Sequence, residues 1–261
     1  MDLPARTWSE RSGAQRVLRS GRYRPSTNVG TSRSVFVGGL LLVAAAGCST
    51  GVPAPAPAPV AAHVTLPAAP PFAVLAEGAA GREVATLQAT LRGLGFQVRR
   101  DDGRFDTETR HAVVAFQKAH GLPRTGVVDV VTSDRLRSPV LPRPRVSAPG
   151  FHVEVDLARQ LVYLVRDGRV DRVYDASTGR DADGKRTPPG EYRISYQING
   201  WRHAKLGPMW KPSYLDSTGL ALHGGEPVEA TPASNGCIRM TDPSVEEVYP
   251  LLKPGTRVLI Y

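Results

Sequence analysis

The sequence predicts a two-part α + β chain, a small three-helix module over 74–137 followed by a mostly-β domain over 150–261. Three observations carry this. Val84, Leu87, Leu91 and Leu94 recur at helical spacing, the stripe of a helix that buries one face. After residue 150 the period drops to two, in His152-Val153-Glu154-Val155-Asp156 and Leu161-Val162-Tyr163-Leu164-Val165, which is the strand period. Between the two parts, residues 138–149 read SPVLPRPRVSAP, a Pro-rich linker composition that builds no core.

The first helix closes at Gly93 and Gly95. The loop Asp101-Asp102-Gly103-Arg104-Phe105-Asp106 leads to Thr107, expected as the N-cap of a second helix carrying Ala112, Val113, Ala115, Phe116 and Ala119. Gly121 stops it, and a short third helix includes Val131 and Leu136. Three helices in about sixty residues read as an independent module, with stripe residues such as Phe116 forming its core. His111 and His120 are not at metal-ligand spacing and read as surface residues. In the second part Asp167-Gly168 is a hairpin turn. Further strands are expected over 170–176, 190–197, 220–223 and 257–261, with a loop-rich insert over 199–217. One helix fits 243–252, with Asp242 as N-cap and Gly255 just past its end.

The formal charge of +9 invites a nucleic-acid reading until it is located. Residues 1–33 hold seven arginines against Asp2 and Glu10, and 34–47 (SVFVGGLLLVAAAG) carry no charge. The rest of the chain is only mildly basic, so no nucleic-acid partner is expected. The apolar run is shorter than the roughly 20 residues of a membrane span and fits the apolar region of a secretion signal. Ala45-Ala46-Gly47-Cys48 resembles a lipoprotein cleavage box. Residues 1–47 are therefore read as a lipoprotein-type signal with a long basic start, and Cys48 as the lipidated residue of an envelope protein. An ordinary secretion signal or an uncleaved anchor is the alternative. The polar stretch is long for a signal, so a translation start nearer Val29 is an expectation to test. Residues 48–73 form an Ala/Pro-rich linker, with Pro and Ala alternating from Pro53 to Pro59, an extended stalk.

The chemistry concentrates in Leu220-Ala221-Leu222-His223-Gly224-Gly225 and Ala233-Ser234-Asn235-Gly236-Cys237-Ile238-Arg239-Met240. A free thiol has a pKa of about 8.5, so a reactive cysteine needs a base or a positive field beside it. His223 lies fourteen positions before Cys237, a separation that suits neighbouring strands joined by a loop, and Arg239 follows on the same face of an extended segment. Taken singly, Asn235-Gly236 is a turn, a lone cysteine is a small buried hydrophobe and a lone histidine is a satisfied one. Their coincidence favours chemistry. If Cys48 is in the anchor, Cys237 has no intramolecular partner, which again points to reactivity. No H-x-H or H-x-x-E-H pattern and no phosphate loop occurs, so neither metal nor cofactor is expected.

His-Gly followed by Ser-x-Gly-Cys-Ile-Arg-Met resembles the signature of the YkuD-type L,D-transpeptidases, which cross-link bacterial peptidoglycan. The likeness runs from about Phe151 to Tyr261 and includes Ala176-Ser177-Thr178-Gly179 and Thr187-Pro188-Pro189-Gly190-Glu191-Tyr192. Asn235 departs from the usual histidine. Leu87-Gln88, Leu94-Gly95-Phe96, Asp102-Gly103-x-Phe105, Thr109, Phe116-Gln117 and Gly121-Leu122 resemble the type 1 peptidoglycan-binding domain. The resemblance implies a β-sandwich-like catalytic domain, Cys237 as nucleophile, His223 as base and the Gly224 carbonyl orienting the imidazole. Backbone N–H groups of Gly236 and Cys237 would hold the oxyanion. Ser234, Asn235, Arg239, Trp210 and Tyr214 are candidate substrate contacts. The alternative for Arg239 is a surface salt bridge, and for the Trp201, Met209, Trp210 and Tyr214 insert local packing rather than a lid. His203 is the alternative base. The implied partners are peptidoglycan stem peptides and glycan. Hydrolysis of the same thioester (an L,D-carboxypeptidase) and an inactive wall-anchoring lipoprotein, which Asn235 favours, remain open.

Overall fold

The computed structural model describes residues 74–261. The signal-like segment, Cys48 and the Ala/Pro stretch lie outside the described residues. Helices α1 (Arg82–Gly93), α2 (Thr107–Ala119) and α3 (Val130–Arg137) form the first part. The expected stripe of α1 is buried at Val84, Leu87 and Leu91. Asp106, not Thr107, caps α2, its carboxylate accepting the Thr109 N–H at 2.8 Å. Extended backbone at this position lets a short side-chain oxygen reach back to an unpaired amide. Both Val131 and Leu136 lie in α3 as expected, and its buried face runs through Thr132, Ser133 and Leu136, which leaves Val131 exposed.

The second part contains β1 (Phe151–Asp156), β2 (Leu161–Arg166), β3 (Arg169–Ser177), β4 (Gly190–Arg193), β5 (Tyr196–Gln197), β6 (Trp201–Ala204), β7 (Gly207–Tyr214), β8 (Ala221–Gly224), β9 (Ile238–Met240) and β10 (Arg257–Ile260). They make one curled sheet in the order β4-β10-β1-β2-β3-β9-β8-β7-β5, with β6 paired to β7. Only β1·β10 and β8·β9 are parallel among these pairs. The run 190–197 is two strands, because β4 pairs with β10 while β5 pairs with β7. The insert expected as loop holds the β6–β7 hairpin. The last helix, α4 (Asp242–Val248), is capped by Thr241, whose hydroxyl accepts from Ser244 N. It gives way to a 3-10 turn at Tyr249–Leu251, where Pro250 has no N–H to continue an α-helix.

Strand β2 is apolar on both faces and faces two cores. Leu161, Tyr163 and Val165 pack with Val173 against Phe96, Phe116 and the other buried residues of the helices. Val162 and Leu164 point the other way, into the core built from β1, β3, β8, β9, β10 and α4. The helical module is therefore not independent. Four sheet side chains sit in its core, and each fully buried one contributes about 1.5–3 kcal/mol. Backbone bonds add to the union, from Gln97 N to Val173 O (3.0 Å) and from Val173 N to Gly95 O (2.9 Å).

A buried polar cluster spans the same interface. Lys118 Nζ donates to Asp175 Oδ1 (2.5 Å), Ala176 O (2.9 Å) and Gln160 O (3.2 Å), while His111 Nδ1 meets Asp175 Oδ2 at 2.7 Å. His111 is thus buried, not a surface residue. His120 is half-buried, its ring bonded to Phe116 O and Val140 N. The Pro-rich segment is docked along this interface. Val140 N donates to His120 Nε2 (3.2 Å), and Arg145 N and Val146 N donate to the Glu154 carboxylate (2.7 and 2.8 Å).

Candidate active site

The site is built where β8 and β9 run side by side in parallel. The register pairs Leu222 with Ile238 and His223 with Arg239. Alternation then sorts the side chains, because paired residues in a sheet share a face. Leu222, Ile238 and Met240 enter the main core. His223 and Arg239 take the other face. Two residues back along each strand, so do Ala221 and Cys237, which pack with Met209 and Tyr214 in a separate apolar cluster. The thiol, the imidazole and the guanidinium are thereby grouped on one face.

His223 is 4% exposed. Its Nδ1 lies 2.5 Å from Gly224 O, and a carbonyl oxygen only accepts, so the proton of the neutral ring is on Nδ1 and Nε2 carries the lone pair. Burial lowers the imidazole pKa to about 4, against the Gly224 bond and with help from the Arg239 charge. The ring is neutral at pH 7. Burial pushes the Cys237 thiol up, opposed by a bond from the Ala221 backbone and by the Arg239 charge. The thiol donates to Gly219 O at 3.5 Å rather than to His223. Arg239 donates to Pro227 O (3.1 Å) and has no carboxylate partner among the described residues, so the salt-bridge alternative is not what forms.

The turn before Cys237 is held from within and from behind. Ser234 Oγ donates to Cys237 O (2.6 Å) and accepts from Gly236 N (3.1 Å). Ser234 is thus a turn former rather than a free substrate contact, and the Gly236 N–H expected to face an oxyanion is directed into the turn. Cys237 N–H has no protein acceptor among the described residues. Gly236 has φ +123, a backbone state that L side chains rarely adopt. Behind the turn, Thr187 Oγ donates to Gly236 O (2.7 Å) and accepts from Gly179 N (2.8 Å). Thr178 O accepts from both Ala233 N and Ser234 N at 3.0 Å.

Asn235 occupies the departed position as a fastener. Its Oδ1 accepts from Arg180 Nη1 (3.0 Å) and Lys185 Nζ (3.1 Å), and its Nδ2 donates to Leu206 O (3.2 Å). The amide joins three loops and is not directed at Cys237. Tyr214 is buried and stacks on Tyr196 (centroids 4.4 Å) beside the thiol cluster. Trp210 pairs with Gly224 across β7·β8 and donates to Glu246. His203 is exposed on β6, opposite Pro208.

One contributor was hidden in the sequence. With Thr241 capping α4, Asp242 is free to accept the Gly225 N–H at 2.7 Å. A Cβ on Gly224 would lie 2.5 Å from the same carboxylate oxygen. Asp242 therefore pins the Gly224–Gly225 backbone whose carbonyl holds His223. Reading Asp242 as the N-cap concealed this.

A helical module joined to a curled β domain, with a thiol and an imidazole on one face of adjacent parallel strands, is the architecture of L,D-transpeptidases. The L,D-transpeptidase catalytic domain family (YkuD) matches residues 150–260, and a peptidoglycan binding domain family (PG_binding_1) matches residues 80–136. The crystal structure of the L,D-transpeptidase (residues 123–326) from Xylanimonas cellulosilytica DSM 15894 is 37% identical, covering 75% of this chain and 100% of that one at a TM-score of 0.68. YqjB of Bacillus subtilis strain 168, which bears an L,D-transpeptidase name, is 29% identical over 140 residues, 47% of this chain and 78% of YqjB. The chain belongs to the YkuD L,D-transpeptidase family.

Proposed function

We propose that this protein is a peptidoglycan L,D-transpeptidase working through a Cys237 thioester. As Sγ attacks the carbonyl between the third residue of a stem tetrapeptide and its terminal D-alanine, the thiol proton passes to His223 Nε2. The Cys237 N–H faces the oxyanion. The C–N bond then breaks, Nε2–H protonates the departing amine, and D-alanine leaves with the acyl group on sulfur. An amine from a second stem attacks the thioester, gives its proton to Nε2, and the released sulfur recovers a proton from the imidazolium. A raised thiol pKa and a lowered imidazole pKa favour a neutral pair at rest, so proton transfer accompanies attack.

The observation that supports this best is the β8·β9 register, which puts His223 and Cys237 on one face. The base does not depend on the position of Asn235, which weakens the inactive-anchor alternative. Arg239 acts through space to lower the thiol pKa against the effect of burial and is a cation available to a stem carboxylate. The reading includes an extracytoplasmic location, with the chain held to the membrane by acylated Cys48. Cys48→Ala should then move the protein to the soluble fraction, and native protein lacking lipid mass on Cys48 refutes that part.

The test is intact-mass analysis with a tetrapeptide donor. The wild-type chain should gain the donor mass less D-alanine, lose it on adding an amine acceptor, and show neither event as Cys237→Ser. Discharge by water alone identifies a carboxypeptidase. No adduct and no D-alanine from the unaltered chain would leave the anchor reading.

A further inference from the structure

Away from Cys237, a cleft of about 880 Å³ opens where α2 and α3, the docked Pro-rich segment and the catalytic sheet meet. Six lysines and arginines line it against one carboxylate, Asp156. It continues, through shared residues Arg145, Asp156, Arg159 and Tyr261, into a second cleft of about 620 Å³ that ends at Thr178, Gly179 and Thr187. Those three residues back the Cys237 turn.

Asp156 is already held, by Arg159 Nη1 and Arg159 N at 2.8 Å each. The neighbouring Glu154 is buried and accepts from Arg145 N, Val146 N and Tyr261 Oη. Four guanidiniums are left without a carboxylate among the described residues. Arg124 donates to two carbonyls, Ala230 O (2.8 Å) and Ala158 O (3.1 Å). Arg145 lies 4.6 Å over the Tyr261 ring. The guanidiniums of Arg135 and Arg143 have no hydrogen-bond or ion-pair partner among the described residues. Arginines elsewhere on the surface are commonly paired, for example Arg92 with Asp101 and Arg257 with Glu191.

The presentation is rigid. Pro142 and Pro144 turn inward while Arg143 and Arg145 turn out, and proline fixes φ and favours extended backbone. Both ends of the segment are tied, at His120 and at Glu154. A ligand that meets these guanidiniums therefore orders little backbone on binding. Planar forks of this kind suit carboxylates.

We infer that this groove is a second binding site, separate from Cys237, for the free carboxylates of peptide stems along a peptidoglycan strand. The choice of that polymer rests on the wall-enzyme reading above, since both parts that border the groove match peptidoglycan domain families. A strand gripped here runs from the helical module toward the back of the nucleophile turn. The site holds the strand in place and takes no part in bond making.

The experiment measures binding of a linear glycan–tetrapeptide fragment to the full chain. Arg135→Gln/Arg143→Gln/Arg145→Gln should weaken it roughly tenfold or more and flatten its salt dependence. Arg82→Gln/Arg100→Gln/Arg193→Gln, which removes the same charge elsewhere, should change it less than twofold. With the wild-type chain, a fragment with amidated carboxylates should bind roughly tenfold more weakly, an arm independent of how the variants fold. Equal losses in the two triple variants, no loss in the first, or unchanged binding of the amidated fragment overturns the inference. So does tighter binding of poly(glycerol phosphate), which would make the site one for phosphodiester polymers. D-alanine release from a soluble tetrapeptide, measured alongside, reports on Cys237 alone, so failure of the groove and failure of the transpeptidase reading are told apart.

Discussion

Gly179 is the position where one methyl group should reach the chemistry without touching Cys237 or His223. A Cβ there would lie 1.9 Å from Lys185 O, 2.6 Å from Thr187 N and 2.8 Å from the Gly236 Cα. All three neighbours are backbone, so no flexible side chain can swing away. Relief to ordinary contact near 3.4 Å requires about 1.5 Å of movement against Lys185 O. Thr187 carries that movement forward, because its hydroxyl bonds both Gly179 N and Gly236 O. Overpacking of this kind costs about 1–3 kcal/mol, or roughly 5–10 °C at the upper end for a domain of this size. Misplacing a reacting group by about 1 Å costs on the order of 100-fold in rate. Gly179→Ala should therefore lose D-alanine release from a tetrapeptide by about that factor while remaining folded. Gly93→Ala is the control, since nothing lies within 4 Å of its Cβ and its φ is not in the left-handed region. It should be neutral or slightly stabilising. Wild-type turnover in Gly179→Ala would refute the mechanical link between the 179–187 loop and the nucleophile turn.

The lowered His223 pKa, about 4, places the ascending limb of acylation near pH 4, not near 6.5, and His223→Gln should abolish it. The same shift affects stability. Between pH 6.5 and 4 the unfolded chain takes up a proton that the folded chain refuses, so stability falls as pH falls, by about 3 kcal/mol for this group at pH 4. Urea unfolding at pH 7 and 4.5 should show a smaller acid loss in His223→Gln than in wild type, and equal losses refute it. Asp242→Ala should lower acylation by about tenfold or more and shift that limb, with Asp242→Asn largely retaining activity because an amide oxygen still accepts the Gly225 N–H. An unchanged pH profile would leave Asp242 a helix-terminus residue only. Lys118→Met leaves the buried Asp175 with only His111 as its side-chain partner and should cost about 3–5 kcal/mol by denaturant midpoint, with Lys118→Met/Asp175→Leu recovering part of it. Deleting 74–137 uncovers Leu161, Tyr163, Val165 and Val173, so turnover should fall on soluble and wall substrates alike, and full retention on a soluble donor would show that the sheet stands alone.

What the sequence disclosed was what is local. The α1 stripe, the hairpin at Asp167-Gly168 and the Cys–His–Arg grouping depend on spacing within one segment, and spacing survives without the fold. Element ends depend on which side chain reaches which amide, and there Asp106 and Thr241 displaced the expected caps by one residue. The contacts behind Cys237 were not legible for a different reason. Thr187 and Gly236 are separated by 49 positions, and no pattern within either segment announces the other.

The largest difference between expectation and fold was written in the sequence but admits two readings. Leu161-Val162-Tyr163-Leu164-Val165 was taken for its period of two, yet it is apolar at every position. Alternation marks a strand with one wet face, whereas an unbroken apolar run marks a strand covered on both. Something had to cover the second face of β2, and the helical part, whose own short helices bury too little surface to stand comfortably alone, is what does so. The Pro-rich segment between them then need not be a tether. It crosses an interface that already exists, and its prolines and alternate arginines follow from lying on that surface. The position of Lys118 agrees, since a lysine that is 0% exposed at its side chain is tolerated only where a fixed carboxylate and carbonyls await it, and all of its partners belong to the sheet domain. On the proposed reading, substrate capture and acyl transfer share this one framework, so a strand held by the groove would be presented to Cys237 in a fixed geometry.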